Sequence, residues 1–196
     1  MPGETINTNN YQNEIKIYFG DDLANLFDVG YISTDIHQII SFTSLLEENN
    51  IEDINKYFLH NKYGLTRYSK VLSQEKMKKS RISDVKKGSI ELVIAGASLA
   101  SSILMPIIAI KVNKYFEQRA EVVNFNIKVD DVRLQQLLDN YEQGYFGDGD
   151  RGLQNIIDLI SHAGYNIDII SNNTYTVEDM LDKYTKRIVK TIKKYR

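Results

Sequence analysis

The sequence predicts a helix-rich α+β fold, with a small mixed or antiparallel sheet and one very apolar central helix at about residues 95–118. Three observations carry this prediction. Residues 122–129, VVNFNIKV, place Val123, Phe125, Ile127 and Val129 on one side and polar residues on the other, the period of a half-buried strand. Ile36, Ile39, Ile40, Thr43 and Leu45 or Leu46 recur at helical spacing, and so do Val177, Met180, Tyr184, Ile188, Ile192 and Tyr195. From Leu92 to Ile110, nineteen consecutive residues carry no charge.

Taken in order, residues 1–13 read as a polar, disordered arm and 14–196 as a single domain. EIKIYF, 14–19, alternates and reads as a strand. Ser33 and Thr34 are helix-start residues ahead of the first amphipathic helix. Ile51, Ile54 and Phe58 form the stripe of a second helix, with Gly64 as its C-cap. Residues 66–80 read as a basic third helix. Two short strand patterns around Lys86-Lys87-Gly88 form a hairpin, and the apolar segment follows. After the strand at 122–129 come helices at about 130–143 and 152–163, and then a strand, NIDIIS, 166–171. The last helix starts at Thr176, with Asp179 three residues on in a capping-box-like arrangement. This makes about five strands, in an order that is not a regular βαβ alternation.

A net charge of −2 conceals strong segregation. Residues 1–66 carry −7 and 67–87 carry +6, while 112–182 carry −8 and 183–196 hold seven bases and no acid. Two basic blocks in an acidic chain point to anionic partners or to the chain's own acidic faces. The absence of cysteine excludes disulfides, thiolate metal sites and thiol nucleophiles. The polar N-terminus carries no signal-peptide pattern, so a cytoplasmic location, or the cytoplasmic face of a membrane, is the expectation.

Motif chemistry is sparse. Gly96-Ala97-Ser98-Leu99-Ala100 is a near-match to the G-x-S-x-G nucleophile elbow, preceded by a strand-like ELVI and followed by a helix. Aspartates and then His162 follow in the chain, so the order resembles the α/β-hydrolase family over about ten residues. That resemblance implies Ser98 as nucleophile. The ninety residues before it are mostly helical, where that family places parallel strands, and no Gly-rich loop offers a second oxyanion donor. Residues 147–152, GDGDRG, are a literal G-x-G-x-x-G that lacks a preceding strand and would place two carboxylates where pyrophosphate belongs. Asp158 and His162 share a helix face but lack a third ligand, and His162 suits the helix end before Gly164. The acidic pairs Glu47-Glu48, Glu52-Asp53 and Asp130-Asp131 fall at helix ends, as caps do. No catalytic residue, cofactor or metal site is therefore predicted, and no small-molecule substrate.

Two segments carry the functional expectation, that of a non-catalytic association protein of bacterial style. The first is 92–110, long enough to span a bilayer and flanked by Lys86, Lys87 and Glu91 and by Lys111 and Lys114. Its small residues Gly96, Ala97, Ser98, Ala100, Ser101 and Ser102, with Met105, allow close packing against lipid-embedded helices or a second copy. The second is 177–196, whose Lys183, Lys186, Arg187, Lys190, Lys193 and Lys194 suit an anionic surface. Membrane lipid or self is the expected partner. The alternatives are a wholly soluble module for an acidic protein or nucleic acid, and a small serine hydrolase built on Ser98. Topology separates the readings. If ELVI ends a strand and 122–129 joins the same sheet, the apolar segment must be a core helix, because a span would divide the sheet.

Overall fold

The computed structural model describes residues 11–20, 26–59, 81–86, 90–144 and 152–194. The fold is α+β, with one four-stranded sheet among the described residues. The strands are β1 (Asn13–Phe19), β2 (Arg81–Lys86), β3 (Ile90–Ala97) and β4 (Phe125–Val129), in the order β2-β3-β1-β4, with every neighbouring pair antiparallel. Ile15, Ile17 and Phe19 of β1 are buried while Glu14, Lys16 and Tyr18 are half-buried, so the period-2 pattern of the sequence points one face at the core. Gly20 closes β1 against β4. Its N–H donates to the Asn124 carbonyl at 2.7 Å, and a Cβ there would sit 2.5 Å from the Asn124 Cβ.

The helices are α1 (Leu26–Glu47), α2 (Ile51–Ile54, continued by one π turn over Asn55–Leu59), α3 (Leu99–Glu117), α4 (Val132–Glu142), α5 (Gly152–His162), α6 (Asp168–Ser171) and α7 (Thr174–Lys194). β3 and β4 flank β1 and both run antiparallel to it, so they are parallel to each other and α3 is the crossover that joins them. It lies on the sheet against β1 and β4, and α1 and α7 pack on it from other sides. Every residue from Leu99 to Ile110 is buried. Each fully buried Leu or Ile there stabilises the fold by about 1.5–3 kcal/mol, which offsets the missing Pro106 donor to the Ser102 carbonyl, a defect of about 3 kcal/mol.

Several boundaries differ from the sequence reading. α1 begins at Leu26, so Ser33 and Thr34 lie within it, and Thr34 bonds back to the Gly30 carbonyl at 2.9 Å. The second helix is only a turn before its π continuation. The apolar helix runs 99–117 and not 95–118, because ELVI belongs to β3. β4 starts at Phe125, although Val123 keeps the alternation. NIDIIS is not a strand. Ile167 and Ile170 are both buried, three residues apart, and the Asp168 N–H caps onto the Asn166 side chain at 3.2 Å. α7 starts at Thr174, two residues before the capping-box signal, and the Thr174 hydroxyl donates to the Ser171 carbonyl. The end of the arm is held: Tyr11 donates to Asp131 at 3.3 Å and Asn13 opens β1. The basic helix at 66–80, Gly64, the turn at Lys87-Gly88 and the loop 147–151 lie outside the described residues.

Candidate association surfaces

The small residues expected to mediate association take several places. Gly96 is exposed at the end of β3, where its φ of +75° favours glycine, and Ala97 is buried opposite Asn13. Ser98 is half-buried. Ala100, Ser101, Ser102 and Met105 are buried at 2% exposure or less. Their close packing is used within the chain. Ser101 Oγ and Thr43 Oγ1 of α1 lie 2.5 Å apart, and Glu47 Oε1 accepts from the Ala100 N–H at 3.2 Å. α1 thus ends at the start of α3, with a carboxylate at the helix N-terminus.

Ser98 is the N-cap of α3. It has relaxed extended backbone (φ −72°, ψ 164°), its Oγ accepts from the Ser101 N–H at 3.2 Å, and it donates to Ser101 Oγ at 3.1 Å. The positive φ falls two residues earlier, at Gly96, and not on the serine as a strained elbow requires. His162 is spent at the end of its own helix, with Nδ1 2.6 Å from the Asp158 carbonyl. Among the described residues, no group of three or more His, Asp or Glu side chains converges as a metal site.

The basic face of α7 divides in two. Lys186, Lys190, Lys193 and Lys194 are exposed in its second half. Lys183 and Arg187 turn inward. Arg187 donates from Nε to Asp35 Oδ1 at 2.7 Å, with a second nitrogen also 2.7 Å from that oxygen, and Lys183 donates to the Phe58 carbonyl at the π turn. Asp35 is 3% exposed in its side chain, and burial raises its carboxyl above the usual range even though the Arg187 guanidinium pulls it down. Burial lowers the Lys183 ammonium, assisted by Arg187 and opposed by Asp35. Nearby on α1, burial alone lowers His37, whose Nε2 finds no partner. Arg187 on Asp35 and Lys183 on the Phe58 carbonyl clamp α1, the π turn and α7 together. Sequence pattern did not single out Asp35, because its partner lies 152 residues away.

Two further sets went unread in the sequence. Tyr115 of α3 collects cations: the Arg119 guanidinium lies 3.7 Å from its ring centroid, and Lys193 Nζ lies 4.8 Å from the same centroid and 2.5 Å from its hydroxyl. At the sheet edge, Gly20–Asn124 and Asp130–Glu14 bonds fix which residues of β4 bond β1, so the N–H and C=O groups of Phe125, Ile127 and Val129 face outward. Asn113 Nδ2 donates to the Phe125 carbonyl at 2.8 Å and Gln135 Oε1 accepts from the Val129 N–H at 2.8 Å. Side chains from α3 and α4 thereby plug both ends of an edge that could otherwise pair with another strand.

No protein-family model matches the chain, and neither a curated protein nor a solved structure does.

Proposed function

We propose that the chain is a non-catalytic association protein that meets an anionic surface, an acidic cytoplasmic membrane leaflet, through the basic end of α7. One observation carries this reading: Lys186, Lys190, Lys193 and Lys194 recur at helical spacing on an exposed face with no acid between them. Reading 92–110 as the lipid or self-association element has less support. That segment is divided between β3 and α3, and removing α3 from the core would separate β4 from β1. A hydrolase built on Ser98 has less still, because its hydroxyl caps a helix.

Co-sedimentation of the full chain with vesicles tests the reading. Binding to phosphatidylcholine vesicles containing phosphatidylglycerol, absent with phosphatidylcholine alone and lost at high salt, is the expected result. An acidic protein or nucleic acid held more tightly than those vesicles would move the reading to the soluble-module alternative. Protein that pellets without vesicles and needs detergent for extraction would restore 92–110 as a membrane element.

A further inference from the structure

α3 and α7 lie side by side and run in the same direction. Leu104 and Ile108 line one small cavity with Val177, Met180, Leu181 and Tyr184, Lys111 meets Asp182, and further along Tyr115 meets Lys193. Their C-terminal ends therefore share one end of the molecule. There Tyr115 holds two cations, Arg119 just past the end of α3 and Lys193 of α7, at 3.7 Å and 4.8 Å from one ring centroid, and Arg119 also donates to the Tyr115 carbonyl at 2.8 Å. Like charges gathered around one tyrosine repel; the ring face attracts the Arg119 guanidinium, whereas Lys193 lies at the hydroxyl edge and is held by its hydrogen bond there. Among the described residues, no carboxylate pairs with either cation. Glu117 and Glu121 are the neighbouring acids in sequence, against Lys114, Arg119, Lys190, Lys193 and Lys194. An oxyanion that bridges a planar guanidinium and a point-charge ammonium fits the arrangement, which is the chemistry of a phosphate.

Two further features select the source of that phosphate. Val122, just beyond the end of α3, is 73% exposed. Tyr31, one turn before the Asp35 that meets Arg187, is 54% exposed, so α1 presents it beside the second half of α7. Tyr is enriched at bilayer interfaces, and an exposed Val next to the cations adds apolar area that a bilayer can bury. Single-stranded nucleic acid would need a ring free to stack, and the Tyr115 ring is occupied by its cations and by Phe116, whose centroid is 5.3 Å away. The geometry points to Arg119 and Lys193, held by Tyr115, as a subsite for a lipid headgroup phosphate. This rests on the reading of the basic end as a membrane contact.

Three variants of the full chain test the subsite on vesicles containing about a quarter phosphatidylglycerol. Arg119→Gln with Lys193→Gln should weaken binding about 25-fold, taking about five-fold for each cation at the surface. Lys186→Gln with Lys190→Gln removes the same charge away from the subsite and should cost clearly less than the first pair. Tyr115→Leu changes no charge and should still weaken binding about three-fold by releasing both cations. If Tyr115→Leu lowers the unfolding midpoint, Tyr115→Phe takes its place; it keeps the ring, frees only Lys193, and should weaken binding about two-fold. Equal losses from the two double variants, with none from Tyr115, would overturn the subsite and leave a diffuse basic contact standing. No binding of the unaltered chain to acidic vesicles would overturn both. Tighter binding to an RNA oligomer than to the vesicles, lost in the same variants, would overturn the lipid assignment.

Discussion

α3 and α7 lie against each other and are nearly equal in length, at 19 and 21 residues, yet they are placed by different causes. α7 is placed by its own pattern: Val177, Met180, Leu181, Tyr184, Ile188, Val189 and Ile192 are buried and lysines line the outside. α3 has no such contrast, being apolar on every side through Ile110, and composition alone permits lipid or core. What places it is connectivity. β3 before it and β4 after it both pair with β1, so the joining helix must cross the sheet. A uniformly apolar helix needs its flanking strands to be located, whereas an amphipathic one carries its own address.

A lysine placed in each helix gives the sharpest contrast. Ile103 of α3 is fully buried, and Ile103→Lys would put an unpaired charge among Leu and Ile side chains. The expected cost exceeds about 4 kcal/mol, enough to abolish cooperative unfolding in urea. An unchanged midpoint would mean that α3 is not the core helix.

Second in size is the clamp between α1 and α7. Arg187→Met leaves the Asp35 carboxylate buried without its guanidinium. For a fully buried pair this costs about 3–5 kcal/mol, and since the Arg187 side chain is 39% exposed, about 2–3 kcal/mol is expected in denaturant titration at neutral pH. The pH dependence has a definite sign. Asp35 is raised in the fold, chiefly by burial, so its contribution is greatest below the ordinary carboxylate range and falls as pH rises through the raised value. Arg187→Met removes a lowering influence and should steepen that fall. His37, lowered by burial, acts oppositely: stability is lost as pH drops through its ordinary value near 6.5, and His37→Leu should remove that loss.

The sheet edge comes third. Gln135→Ala or Asn113→Ala unplugs one end of β4, at about 1 kcal/mol for each lost bond, and should introduce concentration-dependent association in sedimentation velocity.

The sequence was legible where pattern is local. β1, the β2–β3 strands, the alternation in β4, α4 and α5 follow from period 2 or 3.6 over five or more residues. The start of α1 was not: Ser33 and Thr34 carry a helix-start signal, yet both lie inside a helix that begins at Leu26, where Gly30 is exposed and Asp28 is buried. Residues 166–171 misled because six residues fit either period, and only the joint burial of Ile167 and Ile170 decides. The basic residues of α7 were found as a set, but charge alone could not divide them. Lys183 and Arg187 are claimed by Phe58 and Asp35, positions more than a hundred residues away. The cluster on Tyr115 has the same origin, since Lys193 reaches it across 78 residues.

The smallest expected effect tests the outer side of the comparison. Lys190 is exposed near the end of α7, where a cation complements the helix dipole by about 0.3–1 kcal/mol. Alanine recovers a few tenths of a kcal/mol in helix propensity, so Lys190→Ala should change stability by less than about 0.5 kcal/mol. Its binding to acidic vesicles should weaken nonetheless, because surface charge acts there without acting on the fold. A stability loss above about 1 kcal/mol with unchanged vesicle binding would assign the basic end of α7 to complementing its own helix. The difference between the two helices would then be one of packing alone.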